Sequence, residues 1–103
     1  MPTEAVEDLL ARLGDRDGGT RQLARETLTA IGEPAIAPLI ELLGSAQMTV
    51  RWEAAKALTE VPDPAVIPGL VTLLGDEESG IRWLAAIGLI NSGYRCVPFV
   101  LRR

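Results

Sequence analysis

Apolar positions recur along this chain at the spacing of helix faces, with short polar turns between them. Ile36, Leu39, Ile40 and Leu43 follow the i, i+3, i+4, i+7 spacing of one helix face. Val50, Ala54, Ala57, Leu58 and Val61 do the same in the next segment. The pattern predicts helices over about 4–13, 18–31, 35–43, 48–60, 65–74 and 79–91, and a last one from about 95. Gly14, Gly44 and Gly75 fall just past helices, where a left-handed C′ residue is expected. Asp17, Gln47 and Glu78 fall at the next helix starts, and only Asp17 is a strong capping residue. Glu33-Pro34 and Asp63-Pro64 read as helix starts with proline at N1. Pro38, Pro68 and Pro98 lie a turn further in and should bend the helix or mark where its regular part begins.

The helices come from a repeat. Leu9-Leu10-Ala11-Arg12-Leu13-Gly14-Asp15 recurs as Leu39-Ile40-Glu41-Leu42-Leu43-Gly44-Ser45 and again as Leu70-Val71-Thr72-Leu73-Leu74-Gly75-Asp76. A second block follows each copy: Thr20-Arg21-Gln22-Leu23-Ala24, then Val50-Arg51-Trp52-Glu53-Ala54-Ala55, then Ile81-Arg82-Trp83-Leu84-Ala85-Ala86. The step from Leu9 to Leu39 is one position shorter than the step from Leu39 to Leu70, and the extra residue fits at Gly69. Each unit is a helix, a turn and a helix, and a lone hairpin of that kind cannot bury its own apolar face. Neighbouring hairpins must therefore stack into one core. The expected fold is all-α, a right-handed α-solenoid of about three hairpins plus one terminal helix. It forms a single domain with units at 5–34, 35–64 and 65–94 and a partial unit at 95–103.

The series Leu-Ile-x-Leu-Leu-Gly-Asp, a short turn and Val-Arg-x-x-Ala-Ala-x-Ala-Leu resembles the HEAT-repeat family. It looks like the short bacterial repeat of the type found in phycobilin lyase subunits, and it covers residues 5–101. That resemblance implies a ladder between turn acids and second-helix arginines, here Asp15 with Arg21 and Asp76 with Arg82. Ser45 facing Arg51 breaks the pattern at the middle rung. The arginines are expected to brace turns and bond carbonyls through their forked donors. Because the family spans scaffolds and lyase subunits, the resemblance is specific for fold and poor for function.

Composition narrows the chemistry. With 103 residues, 48% apolar and only 4% aromatic, the chain suits one globular domain of closely packed helices better than a β-sandwich. The absence of histidine removes the commonest general base and the usual zinc ligand. It also separates the chain from HEAT-fold iron hydroxylases, whose metal sites pair histidine with glutamate. Cys96 is the single cysteine, expected as a small buried hydrophobe, and it excludes an internal disulfide. Asp15, Asp17 and Glu26 match three positions of a calcium loop, but Gly19 and Thr20 fail two others and the repeat places this stretch in a helix. No catalytic residue, cofactor or metal is expected. No signal peptide or membrane span is expected either, and the cytoplasm is the default location.

Net charge is −4, which disfavours non-specific nucleic-acid binding. Arg21, Arg51, Lys56 and Arg82 would have to carry it, and Glu26 and Glu53 offset them. The charge is uneven. Residues 1–78 hold 6 bases and 14 acids, a net of −8, whereas residues 79–103 hold Arg82, Arg95, Arg102, Arg103 and no acid, a net of +4. The leading expectation is a non-enzymatic module or scaffold that binds another protein through a concave face of second helices. A subunit of a bilin lyase-like enzyme is the alternative, and nucleic-acid binding ranks below both.

Trp52 and Trp83 occupy the same position of successive units. The buried stripe is already taken by Val50, Ala54, Ala57 and Leu58 in one helix and by Ile81, Ala85 and Leu89 in the next. The indoles are therefore expected on the concave face, extended by Leu84 and Ile87 and rimmed by Lys56, Glu53 and Gln22. The competing reading folds each indole over its neighbour's helix as inter-repeat packing. At the far end, the segment from Tyr94 to Leu101 matches a first helix with no second helix behind it. That end is expected either to self-associate or to be the cut edge of a longer array, with a symmetric dimer favoured over head-to-tail contact.

Overall fold

The computed structural model describes residues 3–61 and 63–91, with side chains from Ala5 onward. Among them are six α-helices and no strand: α1 (Thr3–Arg12), α2 (Gly18–Ile31), α3 (Glu33–Leu42), α4 (Met48–Thr59), α5 (Ile67–Leu73) and α6 (Ser79–Asn91). A 3-10 turn over Pro64–Val66 leads into α5. The chain is an all-α solenoid. The terminal helix expected from about 95, the unit at 95–103, Cys96 and Pro98 lie outside the described residues.

Each hairpin closes on itself, α1 with α2, α3 with α4 and α5 with α6. The stack is then built mainly by the second helices. α4 lies between α2 and α6, while α1 and α3 touch only lightly. Helices packed closely on one side and spread on the other curve the stack around the closer side, so the second helices line its concave face. Leu13, Leu28, Leu39, Leu58, Val66, Leu70 and Ile81 are fully buried and join the three hairpins into one core.

Local chemistry sets the boundaries, in two places differently from the sequence expectation. Gly14, Gly44 and Gly75 do not take the left-handed conformation; among the described residues only Gly32 has a positive φ, 79°. The first helices end by tightening. The N–H groups of Leu13, Gly14 and Asp15 donate to carbonyls three positions back, at Leu10, Ala11 and Arg12. This 3-10 taper satisfies the last carbonyls without a left-handed residue. The left-handed link is Gly32, which ends α2 and opens α3 at once: its N–H donates to Leu28 and its carbonyl accepts from Ala35. The two described prolines differ as well. Pro38 sits inside α3, whereas Pro68 stands in the first turn of α5, just after the 3-10 turn capped by Asp63.

Candidate functional site

Three arginines at one repeat position organise the turns. Arg21 Nη1 donates to the carbonyls of Asp15 (2.7 Å) and Arg16 (3.1 Å). Arg51 Nη1 does so to Ser45 (2.9 Å) and Ala46 (3.4 Å), and Arg82 Nη1 to Asp76 (2.8 Å) and Glu77 (3.2 Å). Inside a unit, then, the arginine bonds backbone, and the pairings of Asp15 with Arg21 and Asp76 with Arg82 are to carbonyls rather than carboxylates. The carboxylate rung runs between units. Asp76 Oδ1 accepts the N–H of Glu78, and its Oδ2 accepts Arg51 Nε of the preceding unit at 3.0 Å. Ser45 interrupts the ladder for Arg21, one unit earlier, and not for Arg51.

The structure fills that missing rung with residues the sequence reading did not connect. Arg21 Nε donates to Glu53 Oε2 at 3.2 Å, and Arg25 Nη1 donates to Glu53 Oε1 at 2.6 Å. Arg25 and Glu53 are both buried. A signal was present in the repeat. Arg25 stands where the later units have Ala55 and Ala86, and Glu53 where the flanking units have Leu23 and Leu84. Two complementary charges replace two apolar residues at facing positions.

On α4, Met48 is exposed and Trp52 is half-buried. Gln22 of α2 is exposed and donates to Glu26 at 3.2 Å, and Lys56 and Ile87 are half-buried. The two tryptophans are not equivalent. Trp52 packs on the core, its ring so close over Gly80 of α6 that a Cβ there would stand 2.7 Å from Cζ3. Trp83 is 63% exposed. Leu84, grouped with the indoles from the sequence, is buried instead, because its position faces the preceding second helix.

Arg21, Arg25 and Arg51 are committed to carboxylates and carbonyls, which leaves little of the basic groove that phosphates would need. Asp15 and Asp17 are likewise spent on the backbone. Asp15 Oδ1 accepts the N–H of Asp17, and Asp17 Oδ2 accepts both the N–H and the hydroxyl of Thr20. Those bonds from the Thr20 side chain and then its backbone hold the Asp17 carboxyl below its ordinary value. Among the described residues no group of three or more His, Cys, Asp and Glu side chains is placed to hold a metal ion. No helix among them is long and apolar enough to cross a membrane.

A family model described as HEAT repeats matches residues 6–90. Among curated proteins, the chain is similar to the uncharacterized phycocyanin operon protein Z of Pseudanabaena tenuis, with 46% identity over 59 residues, covering 56% of this chain and 29% of that protein. It is also similar to the phycocyanobilin lyase subunit beta of the same organism, with 33% identity over 102 residues, covering 95% of this chain and 35% of that protein. The chain thus spans about a third of the length of the curated relatives it matches.

Proposed function

The chain belongs to the HEAT-repeat family, and on that footing we propose that it is a non-enzymatic module that binds another protein through the concave face of α2, α4 and α6. One observation carries this reading: the repeat positions at Gln22, Trp52 and Trp83 and at Glu26, Lys56 and Ile87 form a set of exposed or half-buried side chains on the second helices. It mixes a polar rim, one cation and apolar area, the composition of a protein-binding surface rather than of a reacting site. The direct test places a photo-crosslinking residue at Lys56, and in a control at Glu41, which is exposed on α3 of the opposite side. Specific adducts from the first position and none from the second are expected. Equal labelling from both sides would count against a concave binding face.

A second reading rests on the relative named as a phycocyanobilin lyase subunit, whose similarity covers 95% of this chain. Under it, the same concave surface would contribute to handling a linear tetrapyrrole within a larger assembly. Titrating the chain with phycocyanobilin and following its visible absorbance separates the two. An unchanged spectrum supports the protein-binding module, and a saturable shift supports the lyase-like subunit.

A further inference from the structure

We propose that the α6 end of the stack binds the α2 end of a second copy of this chain, head to tail, so that the contact between α4 and α6 is repeated between molecules. Inside the chain that contact has four elements. Arg51 Nε reaches Asp76 at 3.0 Å. Trp52 lies over Gly80, and Thr59 lies against Gly88, where a Cβ would stand 3.0 Å from its Cγ2. Ala55 and Leu84 are buried in the α4 and α6 layers.

Each element has a counterpart at the two ends. Moved forward by one repeat, Arg51, Trp52, Ala55 and Thr59 become Arg82, Trp83, Ala86 and Ile90. Moved back by two repeats, Asp76, Gly80, Leu84 and Gly88 become Asp15, Gly19, Leu23 and Thr27. The first set is what a following hairpin would meet, and the second is what a preceding hairpin would meet. In a stacked pair, Arg82 faces Asp15, Trp83 faces Gly19, Ala86 faces Leu23 and Ile90 faces Thr27.

The surfaces themselves support the match. Arg82 Nε has no acceptor and Asp15 Oδ2 no donor among the described residues, although the corresponding atoms of Arg51 and Asp76 bond each other. Trp83, Ile90 and Leu23 are 63%, 74% and 63% exposed. They account for three of the five exposed large apolar side chains among the described residues, so the exposed apolar surface concentrates on these rungs. The facing pair of Arg82 and Asp15 carries opposite charges on the two rungs. Each copy uses one face at one junction and a different face at the next. The contact is therefore heterologous and open, unlike the symmetric dimer expected from general statistics.

The test is sedimentation velocity of the full chain from dilute to concentrated solution. The proposal expects a mass that climbs with concentration without levelling at the dimer. Arg82→Asp and Asp15→Arg, each alone, set like charges against each other and should weaken association about tenfold or more. An equimolar mixture of these two variants has complementary charges at every junction and should associate again. Leu23→Lys guards against misfolding as an explanation: its side chain is exposed in the single molecule, so circular dichroism and melting should stay unchanged while association falls. A wild-type chain that stays monomeric, a plateau at the dimer, or variants that assemble like the wild type would each overturn the second-copy assignment and leave this face to another partner.

Discussion

The two contacts between second helices use one backbone arrangement and opposite chemistry. Between α2 and α4 the facing slots hold Arg25 and Glu53, with Arg21 joining from the first turn of α2, all within hydrogen-bond reach. Between α4 and α6 the same slots hold Ala55 and Leu84, and Trp52 and Thr59 lie against Gly80 and Gly88. The acidic rung explains the difference. Where the turn supplies Asp76, Arg51 is neutralised at the edge and the seam stays apolar. Where the turn supplies Ser45, Arg21 takes its carboxylate from inside the seam, and Arg25 completes the charge on Glu53. The repeat therefore specifies hairpin geometry, while each contact solves its own charge balance.

The sharpest way to break this comparison is to convert one contact into the other. Glu53→Leu places the residue of the third unit in the second and leaves Arg25, with a side chain only 10% exposed, without its acceptor. Breaking a buried pair from one side costs about 3–5 kcal/mol, because one charge stays buried and unpaired. Adding Arg25→Ala, the residue type of the later units, removes that charge and should restore most of the loss. Urea unfolding of the two variants decides the matter. A single variant as stable as the wild type would mean that water reaches Arg25 and that the pair is not the structural centre of the α2–α4 contact.

The apolar contact has its own weak point. Gly80→Val puts a branched side chain where a Cβ alone would already stand 2.7 Å from the Trp52 ring. The indole cannot yield freely, since it packs on the core. Overpacking of this kind costs about 1–3 kcal/mol. Trp52→Leu in the same molecule should recover part of that loss, whereas it should destabilise the wild-type chain. Thermal melts of the three variants, with equal losses for Gly80→Val in both backgrounds, would show that Trp52 is not the obstacle.

How far the sequence discloses this arrangement depends on what each feature is made of. The hairpins, their period and the solenoid follow from apolar spacing alone, because helix faces must repeat to form a stacked core. The carbonyl bracing by Arg21, Arg51 and Arg82 also follows, since each arginine stands at one fixed distance after the turn it holds. What spacing does not disclose is direction across the stack. The arginines face the following unit, so Asp76 belongs to Arg51, and only the packed helices show it. The same blindness placed Leu84 beside the indoles, since a helical wheel gives an angle around one helix and not which neighbour occupies it. The recurring glycines are Gly14, Gly44 and Gly75, but the positive φ falls at Gly32, whose place after α4 is taken by Pro62.

The smallest expected effect concerns the helix starts, where the first and second units again differ. Asp17 caps α2 through the N–H and hydroxyl of Thr20, whereas Gln47 opens α4 with no side-chain cap. The hydrogen bonds from the Thr20 hydroxyl and then its N–H hold the Asp17 carboxyl below its ordinary value in the folded chain. A carboxyl whose folded pKa is depressed binds its proton more weakly folded than unfolded, so it contributes stability above its unfolded value. That contribution fades as pH falls toward and through the folded value. Asp17→Asn retains a capping acceptor and removes this titration. The variant should therefore match the wild type more closely at the acid end than at neutral pH, and Gln47→Asp should introduce a similar acid-sensitive gain at α4. Melting temperatures measured from neutrality down into the acid range test both. An Asp17→Asn offset that stays constant across that range would show that the cap acts through its geometry and not through its charge.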